Sequence, residues 1–472
     1  MAASTGRVAV IGGGIAGLAA AYELKCDGVE AVVLEAGDRP GGSIDESLIG
    51  GLTVDSGPDG FVARDPAAAE LCRRIGLGAE LVTPLSSGAY VFGDGGLLRL
   101  PDRSVLGVPW TADALEGTGI VSDVGAETLR RGLARDAEPL DGDATVGEVL
   151  RPRVGDEVFE RLVDPLLGGI NAGSADRMSI EACAPPLHEA ARRGGPLGAA
   201  LQHAAARQSG GGTGRPPVFQ SVRGGVARMV DGLAAELGGA VSLSTPVRRV
   251  TPAAGAGRGP CWRVSTARGS LDADGVIAAC PAWESARLLE PLAPDAAGIL
   301  DDIEYADVAL ATFVVPDEHL ARPLDASGLL VPRGRGLLTT ACSWASAKWQ
   351  HYARAGLAVL RVSAGRVDDR RWMDLDPDDL VSTLAGELAE TGVLGRDAVA
   401  RGRPEARLRP WRQSLPQYRP GHLDRVAKVE ACLESETPGF AAAGAALRGV
   451  GLPACIRSGQ RAAATVTRLL LL

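Results

Sequence analysis

Apolar positions along the chain recur with two periods. "RVAVI" (7–11) and "AVVL" (31–34) are short continuous apolar runs, and "IAGLAAAYELK" (15–25) between them is an apolar stretch of helical length. Residues 7–35 therefore predict strand, tight turn, helix and strand. In "SVRGGVARMVDGLAAEL" (221–237), Val226, Met229, Val230, Leu233 and Leu237 recur at helical spacing, and "VSLSTPVRRV" and "CWRVSTARGSLDADGVIAAC" then read as short strands with a turn at Gly269. Residues 100–205 read as largely helical, with apolar periodicity through "TVGEVLRPRVGDEVFERLVDPLLGGI". "VALATFVV", "GLLVP" and "LAVLRVSAGR", between 286 and 404, read as strands of a sheet, and "RQSGGGTGRPP" (207–217) as a flexible connector. The last segment, "FAAAGAALRGVGLPACIRSGQRAA", predicts a strand Phe440–Ala443, a turn at Gly444, a second tight turn at Gly449 and Gly451, and a helix from about Pro453. No internal repeat is visible.

Composition narrows the class. With 472 residues, 46% hydrophobic and 23% charged, the chain reads as a soluble globular protein of two or three domains. Lys+Arg 49 against Asp+Glu 58 gives a net charge of -9, which argues against nucleic acid as a partner. The eight cysteines (26, 72, 183, 261, 280, 342, 432, 455) form no C-x-x-C pair, and no His stands at metal-ligand spacing from them. Neither a metal site nor a disulfide framework is implied, and reduced thiols in a cytoplasmic protein fit better. The apolar start has a weak basic n-region and four glycines, unlike a signal peptide, and no run of eighteen apolar residues predicts a spanning helix.

The four glycines have their own explanation. Gly12, Gly14 and Gly17 fill the G-x-G-x-x-G frame between strand and helix. The first permits the turn, the second lets backbone approach a pyrophosphate at the helix N-terminus, and the third lets helix and strand pack closely. Glu35, at the tip of the second strand, is placed to accept ribose hydroxyls. NAD and FAD both fit that unit. Two further glycine turns favour FAD: Gly41-Gly42 directly behind the ribose site, and Asp55-x-Gly57 closing the strand "LTVD".

At this point a resemblance becomes specific. "GPDGF" (57–61), "VDPLLGGINAGSADRMSI" (163–180), "SVRGGVARMVDGLAAEL" (221–237), "CSWASAKWQH" (342–351), "WRQSLPQY" (411–418), "GHLDRV" (421–426) and "LRGVGLPACIRSG" (447–459) span nearly the whole chain. Together they resemble the protoporphyrinogen/coproporphyrinogen oxidase family, FAD enzymes of the amine-oxidase superfamily. The resemblance implies an α/β fold: a Rossmann-like FAD-binding domain of the glutathione-reductase/amine-oxidase type, discontinuous over 1–85, 215–285 and 405–472. It also implies a helical subdomain (100–210) and an α+β substrate-binding domain with a mixed sheet (86–99 and 286–404). Noncovalent FAD is expected against Gly12, Gly13, Gly14, Ile15, Ala16, Gly17, Glu35, Ala36, Gly41, Gly42, Ser43, Gly57, Pro58, Asp59, Gly60, Val247, Trp411, Gly444, Val450, Gly451 and Leu452. The C-terminal glycine turn and helix start are expected beside the flavin ring, where free N–H groups stabilise negative charge.

The implied activity is six-electron oxidation of a porphyrinogen by oxygen, with peroxide formed, in heme biosynthesis. Such chemistry needs alignment and a water-poor pocket more than a strong base. The family's pocket positions fall on Gly169, Ile170, Leu330 and Ser363, a small and apolar set with no acid or base. "EYADVALATFVV" (304–315) lacks the lysine of amine oxidases, and "LPACI" around Cys455 matches the noncovalent members. Ser43 stands where relatives carry Arg or Lys, the acidic residue many relatives carry near Gly444 is replaced in "GAAL", and Ala89 stands where protoporphyrinogen-type members carry a basic residue. With "CSWASAKWQH", the pattern resembles the soluble coproporphyrinogen III oxidase branch. Arg64, Arg177, Arg448 and Lys348 are candidates by location for holding propionates. Protoporphyrinogen IX oxidation, a carotenoid-type desaturation, and a flavin- or porphyrin-holding partner without turnover stay open as alternatives. So do a ferrochelatase contact and a peripheral contact with the inner face of the membrane.

Overall fold

The computed structural model describes residues 6–208, 217–253, 261–400, 402 and 404–470. Most of the connector expected at 207–217 lies outside them. A five-stranded parallel sheet forms from Val241–Ser242, Glu30–Leu34, Arg7–Ile11, Gly275–Ala278 and Phe440–Ala442, in that order. Its strands come from four distant stretches; Val8–Ile11, Val33–Leu34, Gly275–Ala278 and Phe440–Ala441 are buried apolar runs, and Val241–Ser242 is a half-buried edge. On one face pack the first helix (Ile15–Cys26), the helix Ala227–Leu237 and the C-terminal helix (Leu452–Leu470). Val226, Met229, Val230, Leu233 and Leu237, the residues at helical spacing, are all buried there. The other face is covered by the meander Val247–Pro252, Trp262–Thr266, Gly269–Ala273 and by the helices Ala282–Leu289, Pro294–Asp301 and His422–Glu436.

A second, seven-stranded sheet runs Glu405–Pro416, Tyr305–Pro316, Leu357–Ala364, Thr339–Trp344, Gly328–Leu330, Tyr90–Gly93, Gly96–Arg99, and is antiparallel except for the pairing of Gly328–Leu330 with Tyr90–Gly93. Period-two alternation splits its residues between faces. Ala309, Ala311, Phe313, Leu329, Cys342, Leu360 and Val362 bury one face under the helix Pro377–Glu390. Leu310, Thr312, Leu330, Ala341, Ser343, Arg361 and Ser363 occupy the other face, which looks toward the glycine turns. Two expected boundaries move. Residues 405–416 are an edge strand of this second sheet, paired with Tyr305–Pro316, so the C-terminal stretch of the nucleotide unit begins after Pro416. The helices of 282–301 belong to the core of the first sheet, which shifts the boundary from 285 to about residue 304.

Residues 123–208 form helices around their own core of Leu129, Leu150, Phe159, Leu162, Leu167 and Leu187, with a short hairpin at 104–109 beside them. The run Asp156–Asn171 contains one π-helical stretch, Phe159–Val163. No helix among the described residues is long and apolar enough to cross a membrane. All eight cysteines are unpaired, and no cluster of His, Cys, Asp and Glu among the described residues could hold a metal ion.

The first and C-terminal helices meet backbone to backbone at Gly459, where a Cβ would overlap the Ala16 carbonyl oxygen. Backbone cannot swing aside as a side chain can, so Gly459→Ala is expected to lower stability in urea denaturation by ~1–3 kcal/mol. Gly386→Ala, in an exposed turn of Pro377–Glu390 with nothing within 4 Å, is expected to raise it by roughly 0.5–1 kcal/mol. Equal effects at the two positions would contradict the packing described.

Candidate functional site

The glycine frame folds as a cradle. Gly12 has φ +107°, and a Cβ there would stand 2.7 Å from Ala279 O. A Cβ at Gly17 would overlap Gly12 O, so this turn is closed to any larger residue. Gly14, which caps the first helix without any side-chain hydrogen bond, has nothing within 4 Å of its Cβ direction. Ile15 and Ala16 continue from it as the buried first turn of that helix. The Glu35 carboxylate accepts from Gly13 N (2.6 Å) and Gly37 N (2.7 Å), and Ala36 between them is exposed. Gly41 N donates to Gly13 O at 2.8 Å and Gly41 bridges Gly14, which brings Gly42 beside the open side of the cradle. Arg39, unmarked in the sequence reading, holds this second turn by donating to Pro40 O (3.1 Å), Ile44 O (2.8 Å) and Gly42 O (2.8 Å). Val247 is buried behind the cradle with Ile11 and Leu34.

The next turn joins the two sheets. A Cβ at Gly57 would overlap the carbonyl of exposed Ser43, so the Gly41–Ser43 and Gly57–Gly60 turns lie in contact. Trp411 Nε1 donates to Ser56 O at 2.7 Å, and Arg361 donates to Gly57 O. Past Pro58, Asp59 is committed to an ion pair with Lys348 (3.1 Å) and Arg361 (2.9 Å), and its backbone oxygen accepts from Ser221 Oγ. Burial works against the Asp59 charge, but Lys348 and Arg361 more than offset it and hold the carboxyl well below the usual range. Gly60 completes the turn, since a Cβ there would press within 2.8 Å of both Gln220 O and the Trp349 ring. Asp55, 2% exposed, accepts from Tyr352 Oη (2.6 Å) and from Val226 N and Ala227 N at the start of Ala227–Leu237.

The pocket end faces this turn. Ser363 lies two residues from Arg361 on the same face of the sheet, in a cross-strand row Leu310, Ser363, Ala341, Leu330. Opposite stands the helix Asp164–Asn171: a Cβ at Gly169 would stand 3.4 Å from Leu330 Cδ2, and Ile170 is 49% exposed. The structure therefore places Gly169 against Leu330, in the same cross-strand row as Ser363, with Ile170 next to Gly169 and exposed; none of the four is titratable. Asn171 O, at the end of that helix, accepts from Gln417 Nε2 (2.8 Å). The next residue, Tyr418, donates from its hydroxyl to Ala445 O and accepts from Gly449 N (3.1 Å). His422 stacks on Tyr418 with centroids 4.1 Å apart and meets Leu447 O through Nε2 at 2.8 Å. Burial lowers its pKa to about 4, so it serves as a neutral support. These contacts hold Gly444 (φ +123°), Val450, Gly451 and Leu452 at the start of the C-terminal helix. Cys455 is buried behind the turn, its pKa pushed up to about 12 by burial.

All but one of the propionate candidates stand beside a carboxylate of the chain. Lys348 is taken up by Asp59 and lies over the Phe219 and Trp349 rings, and Arg448 is bound by Glu430 at 2.6 Å. Arg177, 3.8 Å from Glu304, and exposed Arg64 keep their charges nearer solvent.

The residues fit a flavin dinucleotide. Nothing lies within 4 Å beyond the missing Cβ of Gly14 and Gly444 and only the Gly14 Cα beyond that of Gly42, and Gly14 caps a helix whose N-terminal N–H groups have no side-chain cap, so the cradle has room and donors for a dinucleotide. Burial raises the Asp55 pKa from 3.8 to about 6 despite the Tyr352 hydrogen bond. A raised acid pKa favours the protonated fold, so this contribution is full below about pH 4 and is lost as pH rises through about 6. Relative to the parent, Asp55→Asn is expected to gain on the order of 3 kcal/mol in urea stability between pH 4 and pH 7. A pH-independent difference would contradict the assignment.

Comparison with known proteins agrees with this geometry. The profile of flavin containing amine oxidoreductases matches residues 15–467. A coproporphyrinogen III oxidase of Mycobacterium bovis is 34% identical over 98% of this chain and 97% of its own length. That of Bacillus subtilis (strain 168) is 29% identical over 97% of each. A crystal structure titled "Putative protoporphyrinogen oxidase" from Exiguobacterium sp. 255-15 superposes with a TM-score of 0.85 at 28% identity, over 99% of both chains. The chain belongs to the family of flavin-containing amine oxidoreductases, in its coproporphyrinogen III oxidase and protoporphyrinogen oxidase branch, and is an FAD-dependent oxidoreductase.

Proposed function

We propose that the protein oxidises coproporphyrinogen III to coproporphyrin III in heme biosynthesis, with oxygen as acceptor and hydrogen peroxide as co-product. One observation carries the reading: the apolar row Leu330, Ala341, Ser363 and the facing Gly169–Ile170 form a pocket wall with no acid, base or metal ligand among them. Bound FAD supplies the chemistry, taking two electrons per cycle in three cycles per porphyrin. The protein's part is to bind, orient and exclude water. Gly169 lets the helix approach Leu330 closely, and exposed Ile170 offers an apolar surface to a flat macrocycle. Proton handling falls to water and oxygen rather than to a positioned side chain, because the nearest imidazoles, His351 and His422, are held neutral by burial at pKa values of about 4.

Rim charges support a substrate with several carboxylates. Arg177 and Arg419 both lean on Glu304, next to a small cleft lined by Ser174, Val367 and Gln417 at the end of the pocket helix. Two arginines sharing one glutamate leave positive charge for a propionate. The FAD sites proposed for this chain are the cradle residues Gly12–Gly17, Glu35–Ala36 and Gly41–Ser43, the turn Gly57–Gly60, Val247, Trp411, and the C-terminal Gly444 and Val450–Leu452. A ferrochelatase would be the natural acceptor of the product.

Purified, FAD-loaded protein is expected to convert coproporphyrinogen III faster than protoporphyrinogen IX, read as porphyrin fluorescence, with about three peroxides per porphyrin. Ile170→Asp is expected to lower kcat/KM for coproporphyrinogen III at least about tenfold, with FAD content unchanged, because it sets a carboxylate in the apolar wall. Faster turnover of protoporphyrinogen IX would reassign the substrate. No porphyrin from either, with FAD bound, would defeat the reading.

A further inference from the structure

The second sheet carries a cleft at the end remote from the substrate wall. Pro316 pairs with Leu357 there, six residues along both strands from the pair Leu310 and Ser363, which is about 20 Å. The cleft holds about 860 Å³ between the segments 317–324 and 346–357. It shares no lining residue with the glycine cradle, the 57–60 turn or the apolar row.

Two guanidiniums line it, and neither donates a hydrogen bond to the protein among the described residues. Arg322 lies over the Tyr90 ring at 4.4 Å and the Trp344 ring at 5.8 Å, which fixes its place without using its N–H groups. Its ion-pair partner, exposed Asp325, stands 3.8 Å away, beyond hydrogen-bond length, and already accepts from Tyr90 Oη at 3.0 Å. The Arg322 side chain is 29% exposed, so it is not closed in by protein. Arg354 is exposed and has no ion pair among the described residues. Asp317, the one carboxylate of the lining, is exposed and pairs with neither arginine.

Much of the remaining wall is apolar. Leu320, Leu324 and Leu357 are half-buried, packed on the core from one side and bordering the cleft. Such leucines gain by being covered, and guanidiniums without acceptors gain by meeting a carboxylate, whose two oxygens match their parallel N–H groups. An inorganic anion would leave the leucines wet, and a neutral hydrocarbon would leave the guanidiniums without an acceptor. A carboxylate carried on an apolar body answers both.

We infer that this cleft is a second binding site, in which Arg322 and Arg354 take the carboxylate of an amphipathic acid and Leu320, Leu324 and Leu357 take its apolar body. Two sources share that chemistry: a fatty acid, and the propionate edge of a tetrapyrrole. The site is separate from the one that oxidises substrate, and its occupancy does not depend on which porphyrinogen is oxidised.

The test is calorimetric titration of FAD-loaded protein with octanoate, 1-octanol and coproporphyrin III, in the parent, in Arg354→Gln and in the double variant Arg322→Gln/Arg354→Gln. Octanoate is expected to bind the parent at least about tenfold more tightly than 1-octanol, and to weaken about threefold in Arg354→Gln and at least about tenfold in the double variant. Arg354→Gln changes an exposed side chain, so it carries the comparison if the double variant does not fold. Coproporphyrin III separates the sources. An equivalent of it that the variants weaken assigns the cleft to tetrapyrrole propionates, and the lack of one, beside octanoate binding that they do weaken, assigns it to a fatty acid. If neither acid binds, or if both bind the variants as they bind the parent, the proposal is overturned.

Discussion

The ion pair of Asp59 with Lys348 and Arg361 fastens the Gly57–Gly60 turn, which follows the strand Leu52–Asp55, to the second sheet, and the arrangement of the site depends on it. The ion pair of Arg409 with Asp45 (2.8 Å) and the contacts of Trp411 with Ser56 and Tyr352 with Asp55 add further links between these parts. A buried carboxylate with one partner removed is strongly unfavourable, so the trio is an all-or-none device. It holds the Gly57–Gly60 backbone against the row that leads to Ser363 and Leu330. The glycine cradle and the apolar row thus both contact one turn.

The chain ends close the other side. Gly459 lets the C-terminal helix lie against Ala16 of the first helix, and Tyr418 and His422 pin the turn before it. Asn171 O accepts from Gln417, the neighbour of Tyr418, so the pocket helix is tied to the same support. On the proposed FAD site, the glycines of the last residues serve the cofactor as the turns near the start of the chain do. The arrangement gives an oxidase whose side chains orient and shield, while acid–base groups nearby are either neutralised by burial or consumed in structural pairs.

What the sequence made legible is local. The frame Gly12, Gly14, Gly17 with Glu35 shows itself because strand, turn, helix and strand follow one another within thirty residues, and each glycine answers a steric demand nearby. The helical spacing of Val226 to Leu237 and the C-terminal strand, turn and helix are of the same kind. What stayed hidden is long-range. Arg361 meets Gly57 across 304 residues and Trp411 meets Ser56 across 355, and no periodicity encodes such pairings. One signal was present: a single Arg inside the otherwise apolar "LAVLRVSA" demands a buried partner. The partner of Lys348, a candidate by location for substrate, stayed hidden for the same reason, since Asp59 is distant in sequence. The strand Glu405–Pro416 was grouped with the nucleotide stretch 405–472, and its pairing with Tyr305–Pro316 stayed hidden because charged, alternating residues mark an edge strand without naming the neighbour.

The account's central claim is that the turn at 57–60 is built by protein contacts before any cofactor arrives. Hydrogen exchange of the Gly57, Asp59 and Gly60 amides in FAD-free protein measures this directly. Slow exchange, close to that of the FAD-loaded protein, is predicted, because Asp59, Lys348 and Arg361 hold the turn by themselves. Exchange at the rate of an exposed loop without FAD, slowing only when it binds, would show that the cofactor organises the turn and contradict the account.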